Sequence, residues 1–243
     1  MSILSVHRLT KYFGGLAAVK DASFDIEKDE IVGMIGPNGS GKTTIFNMIS
    51  GYYRPSSGRI EFKGRNVTSL PPHKICKLGI GRTFQTVKPF PSMNVLQNAT
   101  VGAIYGGRRR VSLREGTEYA LKLLEFCGLY EKKDLPVGGL TLIDLKRLEM
   151  VKALSTKPEL ILLDELMAGL NLVEIDSYVK LIEEIHRTGI TILMIEHVMK
   201  PLMGLSERVI VLDHGEKIAE GSPKEVCSDK AVIEAYLGCE TVA

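Results

Sequence analysis

An α/β fold built on a mostly parallel sheet, with a helical lobe inserted into it, is what this 243-residue sequence predicts. Three observations carry that expectation. The runs at 31–35, 160–163 and 190–195 are short and apolar on both faces, as a parallel strand between helix layers has to be. Each run gives way at once to polar residues: a glycine-rich stretch after the first, Asp164 and Glu165 after the second, Glu196 and His197 after the third. The segment from 86 to about 135 breaks this rhythm, opening with the turn-rich VKPFPSMN and continuing into a helical stretch that contains Ala120, Leu121, Leu123, Leu124 and Phe126.

Composition excludes several classes. Lys and Arg total 31 against 29 Asp and Glu, so no overall polybasic or polyacidic character demands nucleic acid or an anionic membrane as partner. Cys76, Cys127, Cys227 and Cys239 are widely spaced, without CxxC, and the five histidines form no HExxH-like cluster. A disulfide scaffold or a protein-held zinc ion is not expected. The longest apolar runs are strand-sized, far short of the ~20 residues that span a bilayer, and MSILSVHRLT lacks the regions of a signal peptide. These features predict a soluble, cytoplasmic chain. The length suits a single domain over 1–243, with a helical sub-lobe at about 86–155. Arg108, Arg109 and Arg110 within that lobe read as a solvated loop or as a contact for acidic or phosphate groups.

The first polar stretch is Gly36, Pro37, Asn38, Gly39, Ser40, Gly41, Lys42, Thr43 and Thr44, which fits GxxxxGK[ST]. Glycines permit a tight turn whose backbone N–H groups face inward. Lys42 adds a point charge suited to the β and γ phosphates of a nucleotide, and the Thr43 hydroxyl suits Mg²⁺. A buried strand should precede this loop and a helix follow it, because Ile45, Met48 and Ile49 recur at helical spacing before Gly51. Asp164 and Glu165 suit complementary tasks: the first to hold Mg²⁺ through water, the second to orient or deprotonate an attacking water. In an open parallel sheet, ligands bind beyond the carboxyl ends of the strands, so the three polar clusters are expected to converge on one site.

With these residues in hand, the sequence resembles the ATP-binding subunits of ABC transporters over nearly its whole length. The order matches: KYFGG with Phe13, GPNGSGKTT, RTFQ ending in Gln85, LILLDE, and IEH ending in His197. RTFQ, the AGLN at 168–171, IEHVMK and VIEAYLG resemble the branched-chain amino-acid uptake group within that family. The resemblance implies the ABC ATPase fold: a phosphate-loop NTPase core with a mostly parallel sheet, an antiparallel β edge and an inserted helical subdomain. It implies ATP and Mg²⁺ as ligands. Phe13 would stack on adenine, Gln85 would sense Mg²⁺ and the nucleophilic water where core and lobe meet, and His197 would contact the γ phosphate. The catalytic set is then Lys42, Glu165 and His197, and the metal set Thr43, Gln85 and Asp164.

Implied partners are a second ATPase subunit, the same or different, and membrane permease subunits, with a solute-binding protein acting indirectly and no nucleic acid. The chain would sit on the inner face of the cell membrane through the permeases, its ATP-driven dimer closure coupled to uptake of branched-chain or other small amino acids. Asn171 replaces an aspartate common in the family, and Leu166 stands where proline usually follows the catalytic glutamate.

One departure bears on mechanism. Where the family carries LSGGQ, this chain reads LTLID at 140–144: Thr141 keeps a hydroxyl, but Leu142 and Ile143 replace two glycines. Thr141 and Asp144 have the spacing of a capping box, and Leu145, Leu148, Val151 and Leu154 continue as a helix face. The helix end, with roughly +0.5 charge, can still point at a phosphate, or Gly138 and Gly139 can supply flexible backbone in a shifted register. The altered stretch also motivates an alternative: an ATP-gated dimerisation module with weak hydrolysis.

Overall fold

The structure, a computed structural model, describes residues 2–107 and 111–240, so Arg108, Arg109 and Arg110 lie outside the described residues. Backbone contacts divide the chain into two compact units, Met1–Pro72 with Thr191–Ala243, and His73–Ile190. The elements run in order β1 (Ser2–Phe13), β2 (Leu16–Glu27), β3 (Ile31–Ile35), α1 (Lys42–Ile49), β4 (Ser57–Phe62), β5 (Arg65–Asn66), α2 (Pro72–Leu78) and β6 (Ile80–Arg82). The helices α3 (Val95–Tyr105), α4 (Leu113–Phe126) and α5 (Leu142–Ser155) follow, then β7 (Leu160–Asp164), α6 (Leu172–Arg187), β8 (Thr191–Ile195), α7 (Met199–Leu205), β9 (Arg208–Asp213), β10 (Glu216–Gly221), α8 (Pro223–Ser228) and α9 (Lys230–Glu240).

In the first unit, β2, β1, β4 and β5 form an antiparallel sheet in that order. Beside it in sequence, β3 pairs in parallel with both β8 and β9, and β10 closes on β9 antiparallel. Every residue of β3 and β8 is buried, which explains why both runs lack polar alternation. The third predicted run shortens by one residue, because Gly189 turns the chain at φ +86 and the Ile190 carbonyl is met by the His186 ring instead of a strand partner. In α1, Ile45, Met48 and Ile49 are buried as their spacing predicted, and Phe46 joins them. The chain leaves that helix through Gly51 at φ +74.

The second unit contains the parallel pair β6 and β7, in register Ile80 to Leu160, together with α3, α4, α5 and α6. Each of those four helices begins with a capping box: Asn94 with Gln97, Ser112 with Glu115, Thr141 with Asp144, and Asn171 with Glu174. Reciprocal side-chain and backbone bonds of this kind satisfy two otherwise orphaned N–H groups at the helix start. The helices α3, α4 and α5 fall within 86–155, while the compact unit reaches further, from His73 to Ile190, and takes in β6, β7 and α6. Among the described residues, no helix is long and apolar enough to cross a membrane.

Candidate functional site

In the first unit, β3 delivers the chain into the glycine-rich loop and α1 carries it away. Gly36 adopts φ +152 and Gly41 φ +102, and a Cβ on either would strike backbone: Leu212 O at 2.1 Å from Gly36, Ala18 O at 2.5 Å from Gly41. Only glycine fits both positions. The turn after β9 closes on the loop, with Gly215 N–H donating to Ser40 O at 3.1 Å. Gly41 caps α1 in a left-handed conformation without any side-chain cap. Its first-turn N–H groups therefore belong to the helix end that favours anions.

Lys42 is buried, 6% exposed, and its ammonium donates to the Gly36 and Pro37 carbonyls at 2.7 and 2.9 Å, with Ser40 Oγ at 3.4 Å. The cation is thus held against the loop's own backbone, where phosphate oxygens can compete for it. Asn38 and Gly39 at the apex are exposed, Pro37 and Thr44 are half-buried, and Thr43 presents its side chain to solvent. Phe13, at the end of β1, is 43% exposed and packs edge-to-face on Tyr53, centroids 5.2 Å apart, with Lys11 Nζ 5.1 Å from its ring. That makes a half-open aromatic pair beside a cation, the character a purine would find. His197 follows the buried Glu196 beyond β8 and is exposed.

In the second unit, β7 ends in Asp164 and Glu165 follows it, both buried. Arg82, on the neighbouring β6, donates to Asp164 Oδ2 at 2.9 Å and lies over the Phe84 ring at 5.0 Å. The Asp164 N–H bonds Thr83 Oγ1 at 3.2 Å, so its backbone is fixed as well as its carboxylate. Glu165 sits at φ +51, a left-handed conformation that costs a non-glycine residue about 1–3 kcal/mol and marks positions over-determined by their surroundings. Two groups hold it. Gln85 Nε2 donates to its Oε2 at 2.5 Å, and the Lys146 ammonium donates to its carbonyl at 3.3 Å. Gln85 and Glu165 are therefore brought together as a pair, 80 residues apart in sequence.

Thr141 caps α5, and its hydroxyl donates to Asp144 Oδ2 at 2.7 Å, with Lys132 Nζ on the same oxygen at 2.6 Å. Burial alone would push the Asp144 carboxyl up, but the bonds from Lys132 and Thr141 outweigh it and hold the group below its ordinary value. The Thr141 hydroxyl thus works inside the cap. Leu142, next in line, is 48% exposed at the helix start. Gly138 and Gly139 lie in a single 3-10 turn, Val137–Gly139, with open space where a Cβ would be. Asn171 caps α6 as aspartate would, accepting from Glu174 N–H at 3.0 Å. Leu166, in the usual proline position, is buried at 1% exposure, so a packed apolar side chain stands where the family usually has a rigid turn residue.

Sequence reasoning missed three contributors. Arg82 precedes TFQ and was readable only as a charge near the end of a short strand. Lys146 interrupts the otherwise apolar positions that lead to Met150 and Ala153, which is the pattern of a charged group facing inward. The turn at 212–215, which braces the phosphate loop, carried no local signal beyond the His214–Gly215 pair, which the structure holds at positive φ.

Comparison with known proteins follows the same lines. The family described as "ABC transporter" matches residues 19–168, and the family "Branched-chain amino acid ATP-binding cassette transporter" matches residues 216–238. The high-affinity branched-chain amino acid transport ATP-binding protein BraF of Pseudomonas aeruginosa is 39% identical over 249 residues, covering 97% of this chain and 98% of that protein. Among solved structures, the ADP conformation of MJ1267, an ATP-binding cassette of an ABC transporter, superposes with a TM-score of 0.87 at 33% identity, covering 98% of this chain and 99% of that one. The dimeric post-hydrolysis state of the cassette MJ0796, bound to ADP and Pi, superposes with a TM-score of 0.82 at 25% identity, covering 90% and 98%. With an ABC ATPase fold, a matching family over most of its length and relatives of this similarity, the chain belongs to the ABC transporter ATP-binding proteins, in the branched-chain amino acid transporter family.

Proposed function

We propose that this chain is the ATP-hydrolysing motor subunit of an importer for branched-chain or other small amino acids. The observation that carries the reading is the loop at 36–43: strained glycines, an uncapped helix start and a buried, backbone-held Lys42 together form a cradle for a polyphosphate. Similarity to BraF supports the substrate class, because that protein is named for branched-chain amino acid transport.

In this reading the loop amides and Lys42 bind the phosphates, His197 contacts the γ phosphate, and Phe13 meets the adenine. Glu165 orients or deprotonates the attacking water, and Gln85, already bonded to it, reports on that water. Thr43, Gln85 and Asp164 offer hydroxyl, amide and carboxylate oxygens, the hard donors Mg²⁺ prefers, with Asp164 acting through water. Its Oδ2 is already held by Arg82, which suits an outer-sphere role. Bound Mg²⁺ would neutralise charge on the phosphate oxygens.

The partners in this reading are a second ATPase chain, permease subunits in the membrane and, indirectly, a solute-binding protein, with the chain held at the inner membrane face by the permeases. Dimerisation finds support in the dimeric state of MJ0796. Val87, Phe90 and Met93, in the segment after Gln85, are proposed to face a short permease helix. Phosphate release by the full chain with MgATP tests the function: turnover abolished by Lys42→Ala is expected, and turnover unaffected by it overturns the reading. A second reading, an ATP-gated dimerisation module with weak hydrolysis, is favoured by exposed Leu142 where backbone usually approaches phosphate. Steady-state turnover of the assembled complex separates the two.

A further inference from the structure

A buried lysine outside the phosphate loop is the least explained charge in the second unit. Lys146 lies on α5 with only 3% of its surface exposed, an environment that ordinarily excludes an ammonium unless specific groups receive it. Its Nζ donates to the carbonyl oxygen of Glu165, at 3.3 Å. The backbone beneath it is fixed too, because the Lys146 carbonyl accepts from the hydroxyl of Tyr178, which is fully buried on α6.

Glu165 needs such a hold. Its φ of +51 is one that a side chain with a Cβ does not choose freely, and the peptide that follows it leads directly into buried Leu166. A charged donor on that carbonyl fixes the turn, and the turn sets the direction in which the carboxylate leaves the backbone toward Gln85. We infer that Lys146 is a positioning residue for Glu165, fixing the backbone turn that aims the hydrolytic carboxylate.

The same helix extends the hold. Near its C-terminal end, Lys152 Nζ donates to the Lys88 carbonyl at 3.0 Å and to Glu149 Oε2 at 2.9 Å. One helix therefore bonds both the Glu165 carbonyl and the segment after Gln85.

The inference rests on Glu165 being the carboxylate that serves hydrolysis, and the test separates the two. Steady-state phosphate release and ATP affinity are measured on the purified full chain and its variants. Lys146→Met keeps the aliphatic stem and removes the charge, so packing is retained. Turnover is expected to fall 10-fold or more, with KM and ATP affinity within 2-fold of the wild type and no loss of thermal stability. Lys146→Arg, which restores the charge, recovers most of the turnover. In a Glu165→Gln background, Lys146→Met costs less than 2-fold further. Unchanged turnover in Lys146→Met, an equal loss in both backgrounds, or losses that follow melting temperature and are not recovered by Lys146→Arg overturn the inference. A wild-type chain that hydrolyses ATP with Glu165→Gln fully active removes the role of Glu165 itself, a distinct outcome.

Discussion

The side-chain amide of Gln85 donates to the carboxylate of Glu165 at 2.5 Å, joining the residue that ends RTFQ to the residue that ends LILLDE. A neutral donor on that carboxylate leaves its charge intact while fixing its direction, which suits the proposed role of accepting a proton from water.

Glu165→Gln is expected to retain ATP binding and to lower turnover by about 100-fold or more, the lower end of what a positioned general base contributes. The geometry is kept, since the amide of the variant can still accept from Gln85. Nucleotide affinity by fluorescence titration and phosphate release by a coupled assay check it together. Parallel losses in both would assign Glu165 to binding instead.

The phosphate loop makes two expectations that differ in kind. Lys42→Ala removes a charged donor, and its bonds of about 1.5–3 kcal/mol correspond to about 10- to 150-fold in ATP affinity. Gly36→Ala leaves the charge in place but drives a Cβ to 2.1 Å from Leu212 O, so the loop and the turn after β9 must move apart. Lost ATP binding with a large drop in melting temperature is expected for Gly36→Ala, and weakened binding with a smaller drop for Lys42→Ala, which gives up its bonds to the Gly36 and Pro37 carbonyls. Calorimetry and ATP titration distinguish them.

The cap of α5 predicts a pH dependence with a definite sign. The folded Asp144 carboxyl lies below its ordinary value because Lys132 and Thr141 outweigh the effect of burial. Its contribution to stability is therefore complete above the ordinary carboxylate pKa and is lost as pH falls through the lower folded value. Lys132→Met removes one of the bonds, so acid unfolding should begin at higher pH than in the wild type, while Thr141→Ala should cost about 1 kcal/mol at neutral pH through loss of the cap. Circular dichroism from pH 7 to pH 2 measures the first and urea titration at pH 7 the second.

Thiol chemistry should separate two of the cysteines. Burial pushes the Cys127 thiol up to about 12, whereas Cys227 is exposed. At pH 7.5 a maleimide should modify Cys227 within minutes and leave Cys127 untouched until the chain is unfolded, because the thiolate is the reactive form. Peptide mass mapping before and after denaturation reads the outcome.

Much of the fold is legible in the sequence because its central strands are short, wholly apolar and punctuated. The shortness of IVGMI and the glycine-rich turn after it favour a buried strand over a helix, and β3 is buried at every residue. The phosphate loop was equally legible, since its glycines, lysine and threonine act through local backbone geometry that nearby residues impose. The capping box of Thr141 and Asp144 was readable for the same reason: both partners lie within one helical turn.

What the sequence by itself determined, then, is a set of locally encoded features: three of the core strands, the phosphate loop, the starts of α1 and α5 and the family signature in its order. Tertiary structure alone decided the partnerships over long separations. It set Arg82 against Asp164, Gln85 against the Glu165 carboxylate and Lys146 beneath the Glu165 carbonyl, and braced the phosphate loop with the turn at Gly215. The physical reason is range. A turn or a cap is fixed by φ/ψ limits and hydrogen bonds among neighbours, whereas the burial of a charge is decided by which distant strand or helix is packed over it, and the linear sequence does not show that.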